Sequence, residues 1–280
     1  MALRLFAADL RARRKAAGLT IESVAQSLGV HSATVGRLEQ AQTAPRRATV
    51  THLLRLYGTR ADEVDAVLDA LGEALADGWW HPYRALLPDH LAGVIDLESA
   101  ASLIRSYAPG VVPELLQTRG YARALLQLRY PRASENEIGE RLDLLRARQE
   151  HALGRNEPVR LWVLMEEAVL TRPVGAEPAV MHEQLAALDG HTVRRDVVTV
   201  QVIPTLVGPH PLLLSGPVDI LRYPHPQLAD RLVVRGLHAE AATVSDDLGA
   251  VRTYQAAMDA TAALALPPTT RLPLSEGSSQ

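Results

Sequence analysis

Five short apolar stripes at helical spacing succeed one another through the first 76 residues, and their shortness is what most constrains the fold. Helices of 8 to 15 residues are marginal on their own in water, so these must pack on one another into a small all-helical unit. The spacing predicts a first helix over Leu5–Ala17, with Leu5, Ala8 or Asp9, Arg13 and Ala16 at helical intervals and Gly18 to end it. Thr20 is an N-cap for a second, with Glu22 and Ser23 in the first turn and Val24, Ala25 and Leu28 inward. Gly29 then turns the chain, Val30 packs back on the core, and a third helix covers Ser32–Gln40 through Val35 and Leu38. After a loop holding Pro45, a fourth covers Ala48–Tyr57 and a fifth Asp62–Ala76.

Charge separates this stretch from the rest of the chain. Residues 1–60 hold ten Arg and Lys against three acidic side chains, a net +7, so the chain's total of −3 leaves −10 for the remainder. A basic head on an acidic body is what a nucleic-acid contact joined to a domain with another task requires, because counterion release needs cations only at the contacting face. The second and third helices, with small Ala25 where they cross and Gly29 at the turn, have the spacing of a DNA-reading helix pair. The third would enter the major groove, leaving Ser32, Ala33, Thr34 and Arg37 to reach bases and phosphates. Thr20, Arg11, Arg13, Arg14 and Lys15 before the turn, and Arg46 and Arg47 after it, are placed to hold the phosphate backbone.

Helical periodicity stops near Asp77-Gly78, and three segments are expected: residues 1–77, 78–266, and a loose tail 267–280 rich in Pro, Ser and Gly. Trp79, Trp80 and Tyr83 come just after the boundary and read as an anchor of one domain on the other. Residues 159–165, 197–203, 217–223 and 231–235 are short and rich in β-branched side chains, so they read as strands. Helical stretches at 118–129, 135–153, 177–189 and 246–264 lie among them. The fold class expected is mainly α, with a five-helix first domain and a mixed α/β, or α+β, second domain.

Composition adds exclusions. At 47% hydrophobic and 22% charged the chain is globular, and without cysteine it has no disulfide, thiolate metal site or cysteine nucleophile. No apolar run approaches the roughly 18 residues of a spanning helix, and the start lacks the apolar core of a signal peptide, so a cytoplasmic protein without membrane contact is expected. The closest histidine pairs, His81 with His90 and His182 with His191, are too far apart in sequence to share a metal from one helix or turn, so no metal site is expected. There is no glycine-rich phosphate loop and no Gly-x-Ser-x-Gly elbow, so no cofactor is expected.

The segment Leu10–Thr20 with Ala25, Leu28-Gly29-Val30, Thr34-Val35 and Arg37-Leu38-Glu39 resembles the XRE, phage-repressor-like helix-turn-helix regulators, whose first domain is a five-helix lambda-repressor-like unit. Val112–Thr118, Tyr121–Ala124, Arg148-Gln149, Glu167, Leu170–Gly175, Gln184-Leu185 and Val200–Pro204 resemble the domain of unknown function that accompanies this module in many actinobacterial regulators. The resemblance implies a transcriptional regulator that binds double-stranded DNA as a homodimer and takes a small-molecule or protein effector on its second domain. It also implies a tie to differentiation or secondary metabolism. Departures from the pattern are informative. Ile21 stands where the family usually has Gln, His31 and Gly36 where serine is common, and Ala41 where glycine is common. Val218 and Val233-Val234-Arg235-Gly236 replace aromatic stretches, which implies smaller side chains around a pocket.

That drift raises a reading of another class, in which the regulator fold serves as a cofactor-free cyclase or isomerase in secondary-metabolite biosynthesis. Its acids and bases would come from Glu166 and Glu167, His210, Asp219 and Tyr223, and His238 with Glu240, while Tyr107, Gln117, Tyr121 and Arg123 would line a pocket or hold helices together. A buried Glu facing a His, with Glu167 and His210 as the pair in view, could exchange protons near neutral pH.

Overall fold

The computed structural model describes residues 2–75, 78–191, 196–224, 228–236 and 242–268. The chain divides into two compact units, one built by residues up to Trp79 and the other by Trp80–Pro224 with the chain from Ala229 onward.

The first unit is all helical: α1 (Ala2–Ala16), α2 (Ile21–Leu28), α3 (Ser32–Glu39), α4 (Arg47–Leu56) and α5 (Ala61–Leu75). The signals for its boundaries are physical ones. The Thr20 hydroxyl accepts the Ser23 N–H at the start of α2, and Gly29 ends it at φ 66°, a left-handed conformation that glycine adopts without strain. Phe6, Leu10, Val24, Val35, Leu54 and Leu71 form the centre of the core. Two expectations are corrected. The inward face of α1 runs through Phe6, Leu10 and Arg14 rather than Arg13 and Ala16, because its apolar period starts at the phenylalanine. Val30 lies 40% exposed instead of closing the core, a place taken by partly buried Leu19, Ile21 and Leu28.

The second unit is mixed. In chain order it holds α6 (Asp89–Ser99), β1 (Leu103–Ala108), α7 (Arg119–Arg129), α8 (Glu135–Leu153), β2 (Arg160–Glu166), α9 (Glu167–Thr171), α10 (Pro178–His191), β3 (Val198–Ile203), β4 (Val218–Arg222), β5 (Arg231–Val234), β6 (Thr243–Ser245) and α11 (Leu248–Ala262). Among the described residues the strands form one sheet in the order β3-β2-β1-β4-β5-β6. β1, β2 and β3 are parallel, whereas β4 lies antiparallel to β1, and β5 and β6 continue as a meander. The four expected strands are β2 to β5. β1 escaped notice because Ser106, Tyr107 and Ala108 are buried in succession, which removes the alternation that marks a half-covered strand.

One face of the sheet packs Tyr107, Leu164, Ile220 and Leu232 against Val251 and Met258 of α11. Since successive side chains on a strand point to opposite faces, Ile104 and Ser106 of β1 face the other way. Helix α8 packs against α6 and α7. It starts with a full capping box, in which the Ser134 hydroxyl accepts the Glu137 N–H while the Glu137 carboxylate accepts the Ser134 N–H.

Candidate functional site

The first unit presents α3 with Ser32, Ala33 and Arg37 exposed, Thr34 half-buried, and Val35 and Leu38 turned into the core. Ala25 is buried against the core, where a larger side chain would push the two helices of the pair apart. Arg11, Lys15, Arg37, Arg46 and Arg47 are exposed, and their side chains have no partner among the described residues. They keep their full charge toward solvent.

Two of the expected phosphate contacts have other work. Arg14 is buried, forks onto Glu39 with Nε and Nη2 at 2.6 and 2.9 Å, and donates Nη1 to the Leu19 carbonyl at 2.7 Å. It ties α1 to α3 from inside and cannot reach a phosphate. Arg13 donates to Asp9 at 2.7 Å and lies 3.6 Å from Glu63, so its charge is largely answered within the unit. Ile21, at the position where the resembling regulators usually have glutamine, packs against the core. Three further departures are local weaknesses of α3. His31 occupies its N-cap without a side-chain cap bond, Gly36 interrupts it, and Ala41 sits at φ 55°, where L side chains are strained.

In the second unit a cavity of about 420 Å³ lies between one face of the sheet, the loop after β1 and the helices α6, α7 and α8. Ile104, Ser106 and the loop Pro109–Pro113 form one side, and Arg141, Leu144, Leu145 and Arg148 of α8 form another. Its lining is mainly apolar. A charged network is set into the wall. Arg148 forks onto Glu98 at 2.6 and 2.5 Å and also donates to Glu114. Arg235 donates to Asp219 at 2.7 Å and stands 3.8 Å from both Glu98 and Glu114, while Ser106 donates to Asp219 at 2.6 Å from the directly opposed strand position. Arg129 approaches Glu114 at 3.4 Å. Burial pushes the Glu114 carboxyl up, but Arg148, then Arg235 and Arg129, hold it down at about 2. Burial likewise opposes the Arg148 charge, and Glu98 and Glu114 together raise its pKa above the ordinary value.

The enzymatic candidates are only partly assembled. His210 meets Glu166, not Glu167, at 2.9 Å, and Tyr107 donates its hydroxyl to the same Glu166 oxygen at 2.8 Å. Burial and that bond raise the tyrosine pKa. Neither Glu166 nor His210 lines the cavity, so the acid–base pair of this trio joins β2 to the 204–211 loop without facing the space a substrate would fill. Glu167 is half-buried and accepts the Thr205 N–H, which lowers its pKa. Tyr223 is buried away from the cavity, and His238 and Glu240 lie outside the described residues.

Tyr107, Gln117 and Asp219 do line the cavity. Gln117 donates to the Val112 carbonyl at 2.7 Å, and the Tyr121 hydroxyl accepts the Val112 N–H, so both shape the loop after β1. Arg123 pairs with Glu135, and Trp80 donates to Asp96 at 2.6 Å. Of the replaced aromatic positions, Val218 and Val233 belong to the core, while Arg235 and Gly236 reach the cavity.

Glu98, Glu114, Arg129, Arg141, Arg148 and Arg235 were not singled out as site residues from sequence. The available signal was on α8, where Arg141 and Arg148 stand seven residues apart with Leu144 and Leu145 between them on one face.

This is a helix-turn-helix protein with a second, α/β domain built around a cavity. Residues 5–67 match the helix-turn-helix domain family, which places the first unit among DNA-binding regulator modules. Residues 91–272 match the family described as domain of unknown function DUF5753, and the chain belongs to it. Neither a curated protein nor a solved structure matches the chain. No helix among the described residues is long and apolar enough to cross a membrane.

Proposed function

We propose that the chain is a transcriptional regulator, in which the domain 1–77 reads double-stranded DNA and the domain 78–266 controls it through a bound effector. The observation that carries this reading is the set of exposed cations Arg11, Lys15, Arg37, Arg46 and Arg47, unpaired among the described residues, around the exposed face of α3. In this account Arg37 reads a base edge and the other four hold phosphates. Helix-turn-helix proteins that read palindromes do so as dimers, so the working form is a homodimer in the cytoplasm. Weak local support of α3 by His31, Gly36 and Ala41 makes groove binding and helix ordering coupled events.

The test is recovery of genomic DNA fragments by the purified full chain, with nonspecific competitor present and salt raised stepwise. Operator binding predicts a small set of fragments that share a two-fold half-site and survive competitor. Recovery of fragments in proportion to their abundance, lost together as salt rises, contradicts it.

A further inference from the structure

The cavity of the second domain is not neutral in what it will accept. Around its wall the cations Arg129, Arg148 and Arg235 are matched by Glu98, Glu114 and Asp219. Arg141 is not matched. Its guanidinium stacks on Tyr130 at 4.0 Å, and its Nε is buried with no hydrogen-bond partner. A guanidinium stays protonated at any working pH, so it cannot relieve this by losing its charge. A buried donor without an acceptor is costly, and an anionic oxygen brought to it gains a charge-assisted bond.

The rest of the lining sets the other half of the ligand. Leu144 and Leu145 come after Arg141 on the cavity face of α8, and Leu91, Ile95, Ile104 and Leu126 add apolar walls. At 1.5 Å per residue, Arg141 and Arg148 are separated by about 10 Å along the helix. A molecule with its anionic end at Arg141 therefore lays an apolar body across the leucines. It meets at the far end an arginine already satisfied by Glu98 and Glu114. About 420 Å³ accommodates a body of two or three fused rings or a medium-length acyl chain.

We infer that the second domain binds an apolar organic acid, with the acid group on Arg141 and the apolar body over Leu144 and Leu145. The charge balance disfavours cations, and the apolar walls disfavour sugars and polyols. Calling this molecule the effector rests on the regulator reading; its binding does not, and is tested without DNA.

The experiment uses the full chain and two fluorescent probes of the same shape, 1-anilinonaphthalene-8-sulfonate and its neutral parent N-phenyl-1-naphthylamine. The sulfonate is expected to saturate one site per chain and to bind more tightly than the parent. In Arg141→Gln its affinity falls about ten-fold or more, while that of the neutral probe is unchanged. Arg141→Lys retains part of the preference, and Leu144→Trp, which fills the cavity, abolishes both signals. Circular dichroism checks that each variant is folded. Equal affinity of the two probes for the unmodified chain, or a loss in Arg141→Gln that is absent or the same for both, overturns the inference. DNA recovery that persists after such a result leaves the regulator reading standing, and specific probe binding without any DNA recovery does the reverse.

Discussion

Arg14 in the first unit and Arg148 in the second are both buried and both fork onto a carboxylate, Glu39 and Glu98, yet they stand in different company. Arg14 is enclosed by α1, α3 and the turn at Leu19, while the exposed Arg11, Lys15, Arg37, Arg46 and Arg47 of its unit have no carboxylate partner among the described residues. Arg148 is joined by Glu114, Arg235 and Asp219 beside an open cavity, and Arg141, which has no carboxylate partner among the described residues, lines that cavity. In each unit internal pairing sets aside the structural charges, and the unpaired ones mark where an outside anion belongs: a phosphate backbone for the first, a small acid for the second.

The largest effects fall on the paired arginines. Arg14→Ala and Arg148→Ala each leave a buried carboxylate without its partner, at a cost of about 3–5 kcal/mol, read from thermal unfolding of the full chain. If the units act separately, Arg14→Ala lowers the transition of the first unit alone and Arg148→Ala that of the second. A common shift of both transitions would break the comparison.

Extremes of pH distinguish the units next. Glu114 is held at about 2 in the folded chain, below its ordinary value of 4.5, so its contribution is present above pH 4.5 and is lost as the pH falls toward 2. Tyr57, raised from 10.0 to about 12 chiefly by burial and then by Glu39, acts in the other direction. Its contribution is complete below pH 10 and is lost as the pH rises toward 12. Acid therefore weakens the second unit first, which hydrogen exchange or domain-resolved melting at low pH will show, whereas alkali weakens both units, because the Tyr107 phenol of the second is raised as well.

Arg37→Ala has a smaller and different signature. It should leave the melting temperature within the range of a neutral surface change, while weakening DNA binding by about 1–3 kcal/mol and relaxing the preference at one base position. A stability loss comparable to that of Arg14→Ala would mean Arg37 belongs to the fold rather than to the contact face.

The smallest changes test the local weakness of α3. Ala41→Gly removes left-handed strain, Gly36→Ala adds helix propensity with no atom within 4 Å of the new Cβ, and His31→Ser supplies the missing cap. Each should stabilise the first unit by about 1 kcal/mol, as measured by denaturant titration. No change in any of the three would show that α3 is held by tertiary packing alone.

The first unit was readable from its sequence because its signals are local: an N-capping threonine, glycines at helix ends, and apolar residues every three or four positions. Even there, Arg14 looked like its exposed neighbours Arg11 and Lys15, since only the fold reveals the carboxylate of Glu39, 25 residues away. In the second unit β2 to β5 showed their β-branched runs, while the site itself was hidden. Arg148 meets Glu98 across 50 residues and Asp219 meets Ser106 across 113, pairings that exist only once the sheet has formed. The expectation that Glu167 would find His210 failed by one residue, because Glu166 closes β2 on the His210 side and Glu167 opens α9 and accepts the Thr205 N–H instead.

The most direct test of the central claim is the salt dependence of affinity for a duplex recovered from genomic DNA, compared between the unmodified chain and Arg37→Ala. The account predicts a linear fall of log affinity with log salt, with a slope of several units, since each neutralised phosphate adds about 0.9. It also predicts that Arg37→Ala erases the advantage of the recovered duplex over a scrambled one. Equal affinity for recovered and scrambled duplexes in the unmodified chain, at every salt concentration, would contradict it.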